Sequence, residues 1–272
     1  MTTRETFRIE TETGVTLDGA VQGARRGPAV LLLHGYSDSW RSYAPLMDAL
    51  PTAWRTVAVS LRGHGDSHRP ETGYGIADFA GDLPAVLDHL DIERAAVVGH
   101  SMGSMVAARF ALSQPARVEA LVLLGALTTL QDNPAIDDDF CDAIAALTDP
   151  VDAGFVRAFQ ESTLAHPAPA DFMDGIVAES RKLPARIWRD ALDAMLADDL
   201  APELPGIAAP TLLLWGDRDG MCDRDGQVRM ASVLPTADFS VIAGAGHAPH
   251  WEDPPGIAAA ITAFLDGVRA AG

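Results

Sequence analysis

Ser101 stands in Gly99-His100-Ser101-Met102-Gly103, directly after the apolar run Ala95 to Val98. Glycines two places before and two places after a serine remove the Cβ atoms that would collide across a sharp strand-to-helix turn. Such a turn pushes the serine hydroxyl out where it can react. A hydroxyl is a weak nucleophile until a base takes its proton, and the base needs an acid to orient it. His247 ends the loop Ala243-Gly244-Ala245-Gly246-His247, which follows the last strand-like run. His250 is the rival base, but it sits beside Trp251 and Glu252 at a helix start. His64, His68, His89 and His166 read as structural or solvated. For the acid, the loop after Thr211 to Trp215 offers Asp217, Asp219, Asp223 and Asp225, all between Ser101 and His247 in the chain. Asp219 is the preferred choice, with Asp217 read as a cap on the turn. Ser101, Asp219 and His247 would then carry out acyl transfer as nucleophile, orienting acid and general base.

Acyl transfer builds negative charge on the attacked oxygen, and two backbone N–H groups must meet it. The amide of Met102, which follows the nucleophile, is one candidate. The amide of Tyr36, in His34-Gly35-Tyr36 after the run Ala29 to Leu33, is the other. A calcium loop in the Asp-rich stretch from Asp217 fails, because Met221 stands at a ligand position and Cys222 where the turn glycine is required. The chemistry calls for no metal and no organic cofactor.

These residues need a scaffold that brings strand ends together. The first 22 residues alternate apolar and polar around Thr13-Gly14 and read as an antiparallel hairpin. Ala29 to Leu33, Thr56 to Leu61, Ala95 to Val98, Val118 to Leu124, Thr211 to Trp215 and Phe239 to Ile242 are further strand-like runs. Continuous apolar runs suit strands covered on both faces, as in a parallel sheet between helices. Helical patterns fall between them, at Tyr43 to Leu50, Ile76 to Leu90, Met102 to Gln114, Gln227 to Leu234 and Pro255 to Val268. The expected fold is α/β: a doubly wound, mostly parallel eight-stranded sheet whose ligands bind beyond the carboxyl ends of the strands. The alternation breaks from about Thr128 to Pro205, where only helical patterns occur (Phe140 to Leu147, Ala153 to Leu164, Phe172 to Leu183, Ile187 to Leu196). So long a stretch is not a bare loop, and it reads as an inserted helical cap. The organisation expected is a core over 1–127, a cap over 128–204 and the rest of the core over 205–272.

The chain has 272 residues, is 48% apolar and carries a formal charge of −18. The apolar content excludes a disordered chain, and the negative charge argues against nucleic acid and anionic membrane surfaces as partners. Residues 128–205 hold 16 acids and 5 bases, so −11 of the −18 lies in the cap. Two cysteines, Cys141 and Cys222, fit a reducing compartment, and no apolar segment follows the charged start of the chain. The expectation is a cytoplasmic protein, monomer or homodimer, acting on a small molecule.

The motifs together resemble the alpha/beta-hydrolase family over essentially the whole chain. The resemblance rests on His34-Gly35-Tyr36 with Trp40, Arg62-Gly63-His64-Gly65 with Ser67, Gly99 to Gly103, Gly216-Asp217-Arg218-Asp219, and Gly246-His247 followed by His250-Trp251-Glu252-Asp253-Pro254. In the family the second Asp of Gly-Asp-x-Asp is the triad acid, which implies Asp219. The cap is similar to the lids of small esterases, cofactor-free haloperoxidase-like enzymes, lactonases and proline iminopeptidases. A serine nucleophile disfavours the dehalogenase and epoxide hydrolase branches, which use Asp. Ser104 stands where perhydrolases and many carbon-carbon hydrolases place a second glycine, which weakens both. The resemblance implies hydrolysis of a carboxylic ester or lactone. Other acyl chemistry on the same triad (thioester, amide, carbon-carbon or perhydrolase) and a triad-retaining ligand-binding signalling protein are the alternatives. Substrate contacts are expected from Tyr36 and Trp188, with Phe140, Phe155, Phe159 and Met195 as further roof residues.

Overall fold

Continuous apolar runs become central strands. The computed structural model describes residues 4–131 and 133–271. Its strands are β1 (Glu5–Glu10), β2 (Thr16–Gly23), β3 (Ala29–Leu33), β4 (Arg55–Ser60), β5 (Ala95–His100), β6 (Val118–Leu124), β7 (Thr211–Gly216) and β8 (Ala237–Ile242). They form one eight-stranded sheet in the order β1-β2-β4-β3-β5-β6-β7-β8. β1 and β2 make the antiparallel hairpin at one edge, and β2 joins β4 antiparallel. From β4 to β8 every pairing is parallel. β3, β4 and β5 are buried at every position, whereas the edge strand β8 alternates and leaves Val241 exposed.

Helices cover both faces. On one face α2 (Ile76–His89) and α3 (Met102–Ser113) bury Phe79, Leu83, Met105 and Phe110 against β3 and β5. On the other, α1 (Ala44–Ala49) and α10 (Pro254–Ala271) bury Leu46, Met47, Ile261 and Leu265. Each such side chain, fully withdrawn from water, contributes on the order of 1.5–3 kcal/mol. α8 (Arg224–Val233) and the short α9 (Pro249–Glu252) follow β7 and β8.

Between β6 and β7 lie α4 (Asp138–Ala145), α5 (Ala153–Ser162), α6 (Ala170–Ser180) and α7 (Ala185–Ala197). α4 and α6 start two residues before their apolar periodicity does. Periodicity marks the buried face, whereas the helix begins at its cap: the Asp137 carboxylate accepts the Phe140 N–H, and Pro169 precedes α6. The two ends of the insertion meet where Leu200 N–H donates to Thr128 O at 2.9 Å. Lys182 pairs with Asp66 and Glu179, and Arg186 donates to the carbonyls of Arg69 and Pro70, so α6 and α7 are moored to the loop after β4. Among the described residues no helix is long and apolar enough to cross a membrane.

Candidate active site

Ser101 follows β5 and has φ 52° and ψ −120°, a region that costs a non-glycine residue roughly 1–3 kcal/mol. Its neighbours hold it there. Ser101 N–H donates to Leu124 O at 3.0 Å, and the Ser104 amide and hydroxyl both donate to Ser101 O, at 2.8 and 2.6 Å. The Ser104 hydroxyl also accepts Leu127 N–H, so the serine that replaces a second glycine braces the turn. Both flanking glycines are obligatory by contact. A Cβ on Gly99 would lie 2.2 Å from Gly103 O, and one on Gly103 would lie 2.2 Å from Leu33 O.

Asp219 and His247 meet from the loops after β7 and β8, with His247 Nδ1 2.9 Å from Asp219 Oδ2. Asp219 Oδ1 already accepts the amides of Met221 and Cys222, so the carboxylate is an acceptor throughout and Nδ1 carries the proton. His247 Nε2 is then a lone pair; it is buried and makes no hydrogen bond. The loop is clasped from several sides. Thr163 O, at the end of α5, accepts the His247 amide at 2.8 Å, and His100 Nε2 reaches His247 O at 3.0 Å. The Glu252 carboxylate accepts the amides of Gly246, Ala165 and His166. Asp217 does not cap its own turn as expected. Its carboxylate reaches across to the Gly244 amide, because that donor of the neighbouring loop lies 2.6 Å away.

The rival His250 is fully buried between Tyr43 and His100, 4.9 and 4.5 Å away between ring centres, with neither nitrogen hydrogen-bonded. Burial, then the neighbouring His247, lowers its pKa to about 3, so it packs as a neutral ring.

The loop after β3 is fixed by His34. Its Nε2 accepts Leu61 N–H at 3.0 Å, so Nδ1 is the donor to Gly35 O at 2.8 Å. Burial, followed by the proximity of His64, holds His34 well below the usual imidazole range. Met102 N–H sits at the first position of α3, ahead of any intrahelical bond, and Tyr36 N–H has no backbone partner among the described residues.

The Tyr36 hydroxyl donates to Trp188 O in α7 at 2.6 Å, and its ring packs edge-on against Phe159 and Trp188. Ser101 and His247 open into a pocket whose wall includes Tyr36, Phe140, Phe159, Met195 and Trp251. Trp188, expected to contact substrate, lies outside that wall. It is fully buried behind Tyr36 and Phe159, and Phe155 packs against it, also away from the pocket.

Asp38 and Gln160 are pocket residues that the sequence reading missed. Gln160 Nε2, from α5, donates to Ser37 Oγ, Asp38 Oδ1 and Ser180 Oγ at 3.0–3.1 Å. Burial, only partly countered by the Gln160 and Gly35 contacts, raises the Asp38 pKa to about 8. No pattern around Asp38 distinguishes it from a loop-capping Asp. Only the arrival of α5, 122 residues later, makes it a pocket group.

A sequence model of the family described as alpha/beta hydrolase fold matches residues 28–254. The chain belongs to that family. It is 27% identical over 268 residues to a 2-(acetamidomethylene)succinate hydrolase of Mesorhizobium japonicum, covering 93% of this chain and 92% of the relative. A thermophilic esterase from Thermogutta terrifontis is 25% identical with a TM-score of 0.82, over 97% of this chain and 99% of that one. An esterase from Exiguobacterium antarcticum has a TM-score of 0.86 at 22% identity, over 95% and 98%, a likeness of fold.

Proposed function

We propose that this protein is a serine hydrolase that cleaves a carboxylic ester or lactone through an acyl-enzyme, with residues 128–204 acting as the lid over the pocket. One observation carries the reading: the imidazole of His247 is oriented by Asp219 through Nδ1, and its open Nε2 lines the same pocket as the strained Ser101. Ser101 Oγ attacks the carbonyl as His247 Nε2 takes its proton, and Asp219 stabilises the imidazolium. The amides of Tyr36 and Met102 receive the oxyanion, an effect worth about 3–4 kcal/mol per donor. Collapse of the tetrahedral species expels the alcohol, protonated by His247. Water, deprotonated by the same base, then releases the acid.

The pocket supports an uncharged, largely apolar acyl group. Its walls are mostly aliphatic and aromatic, and Asp38, the one carboxyl among its described lining residues, is held neutral below about pH 8 by burial. The likeness to the Thermogutta terrifontis esterase supports ester chemistry.

Turnover of a panel of p-nitrophenyl esters and lactones, alongside fluorophosphonate labelling, tests the reading. Ester or lactone turnover with a label on Ser101 is expected, and Ser101→Ala and His247→Ala should each lose activity on the order of 10⁵–10⁶-fold. Failure of both turnover and labelling refutes it, as does more than about 1% residual activity in either variant.

A further inference from the structure

Cys222 is a buried thiol that the proposed reaction does not use, yet it stands at the reaction's base. Its Sγ lies 3.8 Å from His247 Nδ1 and 3.5 Å from Gly125 O, and its own backbone N–H is one of the two that Asp219 Oδ1 accepts. One ligand atom each from Asp219, Cys222 and His247 falls within a sphere of contacts no wider than 4.8 Å. We propose that Asp219 Oδ2, Cys222 Sγ and His247 Nδ1 form a binding site for a thiophilic divalent cation such as Zn²⁺, and that the bound ion silences the catalytic base.

Two of the three donor separations are close to what such an ion requires, and the third, between Cys222 and Asp219, lies within 4.8 Å and must close toward about 3.5 Å. Tetrahedral zinc, with Zn–S about 2.3 Å and Zn–N about 2.1 Å, sets those two donors about 3.6 Å apart. The observed separation is 3.8 Å. The His247 Nδ1 to Asp219 Oδ2 distance of 2.9 Å must open by about 0.5 Å, a small rotation of one ring or carboxylate. Gly125 O, or a water, is placed to be the fourth donor. A thiolate with one imidazole and one carboxylate suits zinc and its soft relatives, whereas calcium and magnesium prefer all-oxygen sites.

A route in also exists. His247 lines the Ser101 pocket, while Asp219 and Cys222 line an adjoining cleft that shares Leu127 and Met221 with it and has Asp223 and Gln227 in its wall. Asp223 in that wall is paired with Arg229, 4.0 Å away.

On binding, the Cys222 thiol releases its proton to solvent and the His247 proton moves from Nδ1 to Nε2, so the ring stays neutral and the sulfur and Nδ1 lone pairs form the bonds to the ion. His247 then carries its proton on Nε2 and has no lone pair left to take the serine proton, and Asp219 is no longer the partner of its imidazolium. The silencing rests on the proposed role of His247; the binding does not. No metal is needed for the forward reaction, and this ion would oppose it.

Cobalt(II), a spectroscopic stand-in for zinc, separates the two. Titrated into the whole protein, it should give a near-ultraviolet thiolate-to-cobalt band in wild type and in Cys141→Ala, and none in Cys222→Ala or Cys222→Ser. Zn²⁺ should inhibit ester turnover in wild type, with an inhibition constant at least tenfold higher in both Cys222 variants. The unfolding temperature and the metal-free activity of each variant establish that it is folded, and the serine variant keeps the side-chain volume if alanine does not. Absence of the band, a band that survives in the Cys222 variants, equal zinc inhibition in wild type and variants, or a bound ion with full activity would each overturn the proposal. If no ester or lactone turns over at all, the band still decides the site, and only the catalytic reading falls.

Discussion

The nucleophile and its base are held by different parts of the molecule. Ser101 is fixed by main chain of the sheet and its elbow: Leu124 O, the Gly99 and Gly103 contacts, and Ser104 from the first turn of α3. His247 is held by one sheet residue, His100, and by contacts from outside the sheet, with Thr163 O of the insertion beneath its amide and Glu252 tying its loop to Ala165 and His166. The nucleophile therefore belongs to the scaffold, whereas the base is positioned jointly by scaffold and insertion. Changes in the helices between β6 and β7 should reach the chemistry through His247 and leave the elbow intact.

The sharpest way to break this contrast is at Gly103. A methyl there meets two backbone carbonyls, Leu33 O at 2.2 Å and His34 O at 2.6 Å, which cannot yield without moving β3. Gly103→Ala should destabilise by more than about 3 kcal/mol and abolish both folding at ordinary temperature and fluorophosphonate labelling. An unchanged melting temperature would show that the elbow is not rigidly set by the sheet.

Asp38 probes the join between scaffold and insertion. Its carboxyl stays protonated in the fold to about pH 8 but ionises near 3.8 in the unfolded chain. Between those values the folded state holds a proton the unfolded state has lost, so this group's contribution to stability falls as pH rises from about 4 to 8 and is flat above. Asp38→Asn removes that slope, about 1.4 kcal/mol per pH unit across the window. Denaturant unfolding of both proteins at pH 5 and pH 8 isolates the effect. His64 and His250, lowered to about 4 and 3, lose their contribution as pH falls below 6.5, equally in the two proteins. A wild-type-minus-variant difference that does not change with pH would refute the assignment.

The mildest change is Glu252→Ala, which frees three amides around the His247 loop. We expect kcat to fall about tenfold, equivalent to about 1.4 kcal/mol of lost positioning, with Ser101 still labelled at a reduced rate. If labelling and kcat are both untouched, the clasp on the base is not what positions it.

The sequence made the scaffold legible because its signals are local. An apolar run such as Val118 to Leu124 needs only its own residues to declare itself a covered strand, and Gly99 with Gly103 declares the elbow within five positions. Chain order leaves Asp217, Asp219, Asp223 and Asp225 open and the family resemblance favours Asp219, which lies 2.9 Å from His247. The pocket was less legible. Asp38, Gln160 and Thr163 carry no local signature, since each acquires its place only when α5 packs over the end of β3. Trp188 shows the converse: a large aromatic at helical spacing looks the same whether it faces a cavity or, as here, packs behind one.

The hydroxyl of Tyr36 is bonded to the backbone of α7, and its amide is one of the two donors proposed above for the oxyanion. Those two ends belong to one residue, so a lifted α7 pulls on the very group that must stay still during reaction. Admission of a substrate and its consumption then become successive events. On the proposed mechanism, a form with α7 lifted would admit substrate without turning it over.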